Sequence, residues 1–208
     1  MRILYIDTSS SYLYSAISEE DKLLCEVKKE FGTSLSEVAL PEIVSMFTQT
    51  NLAAKDIDKI IVVNGPGSFT GIRIGITIAK VYAWSLNIPI TTITSLEAMM
   101  LSSKQNKIKV PMIDARRRYV FGAIYDENNQ VILKPQYIKM DDLNIELGKL
   151  SDYTIITKDE LEEYDNKEDY NPDILKIINY FQHKEPINPH GVNPDYLKLT
   201  EAEESKLN

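Results

Sequence analysis

The stretch that decides the fold is NGPGSFTGIRIG, residues 64–75, which follows the apolar run IIVV and precedes a second apolar segment. Gly65, Gly67 and Gly71, together with Ser68, are typical of a loop that holds a phosphate on backbone N–H groups where a helix begins. The alternative is a tight strand-to-helix turn, in which the glycines permit positive φ angles and Ser68 or Thr70 caps the helix.

The spacing of the glycines meets none of three known motifs. A Walker loop needs four residues between its glycines and then a lysine, but Gly67 and Gly71 enclose three residues and Ile72 follows. The dinucleotide fingerprint G-x-G-x-x-G is missed by one residue. A nucleophile elbow, G-x-S-x-G, has Pro66 and Thr70 at its glycine positions. Spacing alone therefore favours the tight turn.

Asp7, near the end of the first predicted strand, is the one acid that is well placed to serve a phosphate loop. A carboxylate at a strand end can hold a hydrated metal ion beneath a phosphate. It can equally stabilise the turn by accepting hydrogen bonds from its own backbone amides. The second role is favoured, because no glycine follows Asp7 to let a phosphate approach the backbone.

The first half of the chain predicts an α/β order. Strands are expected at 3–9, 12–18, 23–30, 59–65 and 88–94, and helices at 34–51, 69–87 and 95–103. Ser34 with Glu37, and Thr94 with Glu97, fit capping boxes. Pro41 lies inside the first helical pattern and predicts a kink or a later start. A meander followed by helix, strand, helix and strand favours an α/β fold.

The second half is less regular. Strands are expected at 109–115, 119–126, 130–140 and 153–157, and helices at 141–150 and 173–182. The acid-rich segment 158–173 is interpreted as a solvated loop or face. The polar stretch near 103–109 divides the chain into an N-terminal lobe, 1–103, and a smaller C-terminal lobe, 104–208.

Composition narrows the class of protein. The chain has 208 residues, a formal net charge of −8 and a single cysteine, Cys25, so no intrachain disulfide is expected. An acidic surface repels phosphate backbones, which predicts poor binding of nucleic acid by the chain alone. No apolar run approaches the ~18 residues of a membrane helix, and the N-terminus lacks signal-peptide features. We expect a soluble, cytoplasmic protein with no membrane contact.

Few side chains suit metal or anion chemistry. The two histidines, His183 and His190, lie seven residues apart and not at the spacing that places two ligands on one helix face. No metal and no cofactor are therefore expected. Arg116, Arg117 and Arg118 could grip an anion, but consecutive residues of a strand point to opposite faces, so a solvated edge is favoured.

Several segments together resemble the TsaB family, also called YeaZ, along nearly the whole chain. They occur in the family's order: ILYIDTSS, SEVALPEI, NGPGSFTGIRIG, AKVYAWSLNIPI, TSLEAMM, IDARRRYVFGAIYD and PDYLKLTEAE. The combination of GPGSFTGIRIG with the AK and SLEA segments is highly specific. The second half matches more loosely and is short, which implies a reduced second lobe.

This resemblance implies a two-lobed fold of the actin-like and sugar-kinase-like ATPases, the ASKHA superfamily, whose lobes are ribonuclease H-like. It also implies a role in the threonylcarbamoyladenosine modification of tRNA. In that role the chain would pair with a catalytic relative, TsaD, and be joined by an ATPase, TsaE. TsaD-like chains carry a metal-binding H-x-x-x-H where this sequence has Ser95 and Met99, which are poor ligands for a hard divalent ion. The glycine loop, with Asp7, Gly65, Gly67, Ser68 and Gly71, is then a vestigial phosphate loop that serves as a turn.

A ridge of small residues on the second helix bears on how the chain meets its partner. Gly71, Gly75, Ala79 and Ala83 recur every four residues. Such a ridge either packs on the chain's own sheet or lets another helix come close. The resemblance favours the outward direction, with the first helix supplying Leu40, Val44 and Phe47 to a helix bundle shared with TsaD.

The function that follows is a non-catalytic scaffold or activating subunit, inactive alone, that pairs with a TsaD-like subunit and is joined by a TsaE-like ATPase. Contact with tRNA is expected only through the complex, and a homodimer is an open alternative when the partner is absent. A small ATP-dependent kinase or ATPase of the same fold is the alternative, supported by Asp7 and the glycine loop. A metallopeptidase is a third hypothesis, but the sequence has no histidine cluster for it.

Overall fold

The computed structural model describes residues 1–161 and 163–198. The chain divides into two compact units. Among the described residues, unit 1 contains Met1–Ala98 and Pro172–Asp195, and unit 2 contains Met99–Asn171 and the chain from Tyr196 to Lys198. The predicted boundary after residue 103 therefore lies close to the point where the chain first passes from unit 1 to unit 2, after Ala98. The segment 172–195 differs from the prediction, because it returns to unit 1.

The described residues form ten strands and five α-helices. The strands are β1 (Arg2–Asp7), β2 (Tyr12–Glu19), β3 (Lys22–Glu30), β4 (Lys59–Val63), β5 (Ile90–Ile93), β6 (Ile108–Asp114), β7 (Tyr119–Tyr125), β8 (Val131–Lys139), β9 (Tyr153–Thr157) and β10 (Lys167–Asp169). The helices are α1 (Leu35–Thr50), α2 (Phe69–Leu86), α3 (Ser95–Ser102), α4 (Met140–Leu147) and α5 (Ile174–Phe181). None of the helices in the described part of the chain has the length and apolar character needed to cross a membrane.

The sheet of unit 1 has the strand order β3-β2-β1-β4-β5. The first three strands form an antiparallel meander, and β1, β4 and β5 run parallel. All five residues of β4 are buried, as its continuous apolar sequence predicts for a strand covered on both faces. Because β4 leads directly into the glycine loop, this loop lies at the carboxyl edge of the parallel strands.

Residues 172–195 pack with unit 1 for two physical reasons. Helix α5 buries one apolar face, made of Ile174, Ile177, Ile178 and Phe181. Beyond it, the Lys59 ammonium donates to the carbonyl oxygens of Gln182, at 2.9 Å, and Lys184, at 2.5 Å. A buried ammonium needs such acceptors, so this pair of contacts fixes the returning chain to β4.

The sheet of unit 2 repeats the plan of the first. Its order is β10-β9-β6-β7-β8, with β6, β7 and β8 antiparallel and β6, β9 and β10 parallel. Helix α4 supplies Met140, Leu143 and Leu147 to the core beside this sheet. The acid-rich segment 158–173 is not only a solvated loop, because it contains β10, and Ser103 donates to the Glu168 carboxylate at 2.6 Å.

The helix starts agree with the sequence in two places and differ in one. Thr94 and Glu97 form the predicted capping box, with Glu97 accepting from the Thr94 amide at 2.7 Å. Ser68 caps α2 by accepting from the Gly71 amide at 3.2 Å. The capping box at Ser34 is wrong, because a 3-10 turn at Gly32–Ser34 precedes α1 and the Ser34 side chain makes no cap hydrogen bond. Helix α1 continues through Pro41.

Candidate functional site

The glycine loop is packed against the chain's own backbone. A Cβ atom at Gly67 would collide with the Ser9 carbonyl oxygen, one at Gly71 with the Thr8 carbonyl oxygen, and one at Gly65 with the Asp195 carbonyl oxygen. Gly65 and Gly67 also have φ angles of +117° and +151°, which side chains rarely adopt. The glycines are therefore required by a close backbone approach within unit 1.

Hydrogen bonds of the loop point the same way. The Ser68 amide, which a phosphate loop would aim at its ligand, donates to the Ser9 carbonyl oxygen at 2.7 Å. The Thr8 hydroxyl donates to the Gly71 carbonyl oxygen at 2.7 Å. Since the carbonyl oxygens beside the loop carry partial negative charge, they oppose the approach of a phosphate. This geometry is that of a tight turn.

Asp7 lies at the carboxyl end of β1 and is almost fully buried. Its Oδ1 accepts from the Ser9 amide at 2.8 Å, so the carboxylate caps the β1–β2 turn. Burial raises the pKa of the Asp7 carboxyl, and the hydrogen bonds from Ser9 and Tyr5 oppose that rise. The structure thus shows the turn-capping role that the sequence favours for this acid.

A cleft of about 490 Å³ opens beside the loop. Its lining is hydroxyl-rich and apolar: Ser10, Ser11, Gly32, Leu35, Ser36, Ser68, Thr70, Gly71 and Ile74. None of these lining residues is a lysine, arginine or histidine that could balance the charge of a nucleotide triphosphate. The cleft is therefore poorly matched to ATP.

Ser95 and Met99, the two positions that the resemblance compares with metal ligands, are both buried and have structural roles. Ser95 is buried and donates to the Pro66 carbonyl oxygen at 2.5 Å, which fastens α3 to the glycine loop. Met99 is also buried. Within residues 1–161 and 163–198, no three His, Cys, Asp or Glu side chains come together in a way that could hold a metal ion.

The small-residue ridge of α2 does not face outward, and that interpretation is wrong. Gly71, Gly75, Ala79 and Ala83 are all buried, and a Cβ at Gly75 would collide with the Thr8 hydroxyl oxygen and lie 3.5 Å from an Ile6 methyl carbon of β1. These small residues let α2 lie close to its own sheet. Burying the ridge against the sheet turns the opposite side of α2 toward solvent.

Ala79→Leu provides a test of that packing. Ala79 is fully buried, so the larger side chain has no free space and must displace its neighbours. We expect overpacking to lower the free energy of unfolding by about 1–3 kcal/mol. Thermal unfolding of the lone chain measures this. An unchanged midpoint would contradict the inward packing, and Val81→Leu on the exposed side of the same helix is the control.

Helices α1 and α2 lie side by side on the surface of unit 1. Leu35 and Ala39 of α1 share a cluster with Ile74 and Ile78 of α2. Near the other ends of the two helices, the rings of Phe47 and Tyr82 stack at 6.0 Å. Phe47 is therefore mostly buried between the helices, and its predicted place in a partner interface is wrong.

Between the helices runs a groove of about 500 Å³, here called the α1–α2 groove. It is lined by Ser36, Leu40, Phe69, Thr70, Arg73, Ile74, Thr77 and Ile78. Leu40 and Phe69 are 46% and 47% exposed, and Arg73 is the one charged lining residue. The Arg73 guanidinium lies 3.8 Å from the centre of the Phe69 ring and forms a cation–π pair with it.

Exposed apolar side chains extend the groove along both helices. Val44 follows Leu40 by four residues and is 49% exposed, while Val81 follows Thr77 by four and is 56% exposed. Trp84, at 67% exposure, continues the line on α2. Leu40 and Val44 are thus exposed as an interface requires. The sequence interpretation missed the α2 side of the groove, although the helical spacing of Ile74, Ile78 and Val81 beside the ridge is a readable signal.

The three arginines occupy the turn between β6 and β7 rather than a strand. All three are exposed and have positive φ angles of 65°, 54° and 61°. Arg118 pairs with Asp141 at 2.8 Å and Glu163 at 2.6 Å. In the described part of the chain, Arg116 and Arg117 have no ion-pair partner.

Comparison with known proteins places the chain in a family. The profile described as "TsaD: tRNA N6-adenosine threonylcarbamoyltransferase" matches residues 29–168. A "tRNA threonylcarbamoyladenosine biosynthesis protein TsaB" of Bacillus subtilis is 33% identical over 222 aligned positions, which cover 98% of this chain and 96% of the relative. The protein of the same name in Escherichia coli is 30% identical and covers 66% of this chain and 64% of its own length.

Solved structures support the fold. YeaZ from Pseudomonas aeruginosa superposes with a TM-score of 0.75 at 18% identity, covering 94% of this chain and 99% of its own. A second structure, described as similar to peptidase YEAZ from the same organism, has a TM-score of 0.82 and covers 95% and 99%. The predicted two-lobed α/β fold is confirmed by these superpositions and by the two α/β units of the chain. The near-complete match to a TsaB protein and the family profile together show that this chain belongs to the TsaB family, also called YeaZ.

Proposed function

We propose that this chain is a non-catalytic scaffold or activating subunit in the biosynthesis of threonylcarbamoyladenosine in tRNA, and that it pairs with a TsaD-related catalytic subunit through the α1–α2 groove. The curated relatives bear the name of this pathway, and the matching profile is that of the transferase. A TsaE-like ATPase and tRNA are further members of the proposed assembly. The single observation that carries the proposal is the exposed apolar groove.

The chemistry of the groove suits a protein partner. Leu40, Phe69, Ile74 and Ile78 offer apolar surface, and Arg73 is the only formal charge among the lining residues. Two neighbouring helices with an apolar seam can accept helices of another chain, which completes a bundle around a shared core. The match to the transferase profile favours a TsaD-related protein as that partner.

The state of the glycine loop supports the non-catalytic part of the proposal. In this chain the Ser68 amide and the space beside Gly67 and Gly71 are taken up by the carbonyl oxygens of Thr8 and Ser9. Ser95 bonds to the loop itself. These contacts stabilise unit 1, and we infer that the catalytic groups are supplied by the partner.

An ATP-dependent kinase or ATPase is the second candidate, because Asp7 and the glycine loop favour it in the sequence and a cleft of about 490 Å³ opens beside the loop. Its test is calorimetric titration of the purified chain with Mg-ATP. We expect no saturable binding at micromolar nucleotide, since the lining of that cleft has no cationic side chain. Saturable binding together with turnover would favour the enzyme.

Reconstitution tests the proposed function. The chain and the TsaD-like protein of the same cell are purified separately, mixed, and their mass is measured by light scattering during gel filtration. We expect a heterodimer, and we expect formation of threonylcarbamoyladenosine in tRNA by the partner mixture to depend on this chain. A chain that forms only homodimers, or a mixture equally active without it, would refute the proposal.

A further inference from the structure

The sheet of unit 2 carries aromatic and basic side chains on the face opposite α4. Val120 and Ile124 of β7 lie in the core with α4, and a Cβ at Gly122 would lie 3.4 Å from Leu143. Because side chains alternate along a strand, Tyr119 and Phe121 point to the other face. The strand register sets Tyr119 opposite Lys139 and Phe121 opposite Tyr137. We call Tyr119, Phe121 and Tyr137 the aromatic face.

The three rings form one contiguous, half-buried surface. Tyr119 and Tyr137 stack with their centroids 4.5 Å apart and their planes 9° apart. Phe121 lies 5.6 Å from Tyr137 at a tilt of 47°. Aromatic rings side by side on a sheet, held by cross-strand contacts, form a rigid platform whose conformational entropy is already low.

Cations surround this platform. The Lys139 ammonium lies 5.9 Å from the centre of the Tyr119 ring, and the Lys198 ammonium lies 5.1 Å from that of Tyr137. Cation–π contacts at exposed sites are worth only about 0.5–1 kcal/mol, so either lysine can leave its ring for a phosphate oxygen. When the Lys139 and Lys198 ammonium groups leave the rings of Tyr119 and Tyr137 to bind an anion, the faces of these rings become accessible.

The turn that leads into Tyr119 adds two more charges. Arg118 is neutralised by Asp141 and Glu163, whereas the guanidinium groups of Arg116 and Arg117 make no ion pair within the described residues, and the Arg116 amide donates to the Asp114 carboxylate at 2.8 Å. Three successive left-handed residues without glycine are unusual, because each costs about 1–2 kcal/mol. This turn holds two guanidinium groups at the end of the hairpin that carries the aromatic face.

We propose that the aromatic face and its four cations, Arg116, Arg117, Lys139 and Lys198, bind a single-stranded segment of RNA. Bases stack on tyrosine and phenylalanine rings whatever their sequence, while arginines and lysines bind the phosphates. Here aromatic rings and basic side chains occur on one hairpin of a chain whose net charge is −8, which makes this hairpin a favourable place for a polyanion on an otherwise acidic chain. The inference deepens the proposed function, on which it rests, by giving this subunit its own contact with tRNA.

Fluorescence anisotropy with the full chain tests the surface directly. The probe is a labelled single-stranded RNA of about ten nucleotides, and a hairpin duplex of the same composition is its comparison. We expect weak binding at low salt, a preference for the single strand, and a steep loss of affinity as salt rises. Equal binding of the duplex would contradict stacking on the rings.

Two kinds of variant separate stacking from charge. Tyr137→Leu should weaken binding by at least about fivefold while leaving the salt dependence unchanged, since it removes a stacking surface and no charge. Arg116→Gln with Arg117→Gln should weaken binding and reduce the slope of log affinity against log salt by about 0.7 for each lost phosphate contact. Tyr180→Leu on α5 and Lys149→Gln beside Glu146 are the matched controls, and neither should have these effects.

Pairing with the TsaD-related protein is measured on the same variants, so that the two proposals can fail separately. Unchanged RNA binding by Tyr137→Leu and by the arginine variant would overturn this inference, even if pairing through the α1–α2 groove is intact. Weakened pairing, with RNA binding unchanged, would identify the aromatic face as a protein interface instead. RNA binding that responds as expected in a chain that does not pair would refute the proposed function alone.

Discussion

Val44→Asp is expected to weaken pairing with the TsaD-related subunit by at least about a hundredfold. Val44 lies on α1 in line with Leu40, and about half of its surface is exposed in the lone chain. In a closed helix bundle the carboxylate would be buried without a partner, which costs about 3–5 kcal/mol. Since each 1.4 kcal/mol is about tenfold in affinity, the complex should be lost at micromolar concentrations.

Titration calorimetry measures the affinity, and thermal unfolding of the lone chain shows whether the variant still folds. Because Val44 faces solvent before pairing, its midpoint should stay within about a degree or two of the parent's. Ile145→Asp is the matched control, since Ile145 is a 63% exposed apolar residue on α4 of unit 2. If Val44→Asp pairs normally, or if Ile145→Asp weakens pairing as much, the interface lies elsewhere.

The sequence predicts most of unit 1 because local signals there agree with one another. The apolar run before Asn64 is a buried strand, Ser68 caps the helix that follows, and Thr94 with Glu97 starts the next helix. Each of these depends on neighbours within a few residues. The direction of the Gly71–Ala83 ridge could not be predicted this way, because helical spacing shows that small residues share a face but not which surface they meet.

Other features depend on contacts between residues far apart in the chain. Helix α5 is readable from its apolar spacing, but its return to unit 1 is fixed by Lys59, more than a hundred residues earlier. Strand β10 is three residues long and lies in an acid-rich segment, so its sequence resembles a loop. The repeated sheet order of the two units is visible only in the structure, since the strands share a topology and no sequence repeat.

In the candidate site, too, some residues follow from local sequence patterns and others depend on contacts between distant parts of the chain. Leu40 and Val44 are predicted as interface residues from the sequence, and the structure shows them exposed. Phe47 belongs to the same apolar pattern, yet it is buried because Tyr82 of α2 stacks on it. The aromatic face was not identified from the sequence, since it requires the register that sets Phe121 opposite Tyr137.

Gly71→Ala is expected to lower the free energy of unfolding by about 3 kcal/mol, at the upper end of what overpacking costs. In an exposed helix the same change stabilises by up to about 1 kcal/mol, so the expected sign is opposite to that of helix propensity. The reason is that the new Cβ would collide with the carbonyl oxygen of Thr8, a backbone atom that cannot rotate away. Relief requires the β1–β2 turn to move, which strains the 2.7 Å hydrogen bond from the Ser68 amide to Ser9.

Differential scanning calorimetry should record this loss as a fall in the unfolding midpoint of roughly ten degrees, at about 2–4 degrees for each kcal/mol in a chain of this size. Gly148→Ala is the control, because Gly148 ends α4 with a φ of −63° and its added Cβ would meet only ordinary contacts at 3.4 Å and beyond. That variant should keep the parent midpoint or exceed it slightly. If the glycine loop were open to solvent, alanine at Gly71 would be tolerated as easily as alanine at Gly148. Equal unfolding midpoints for the two variants would therefore show that close packing does not require glycine at position 71.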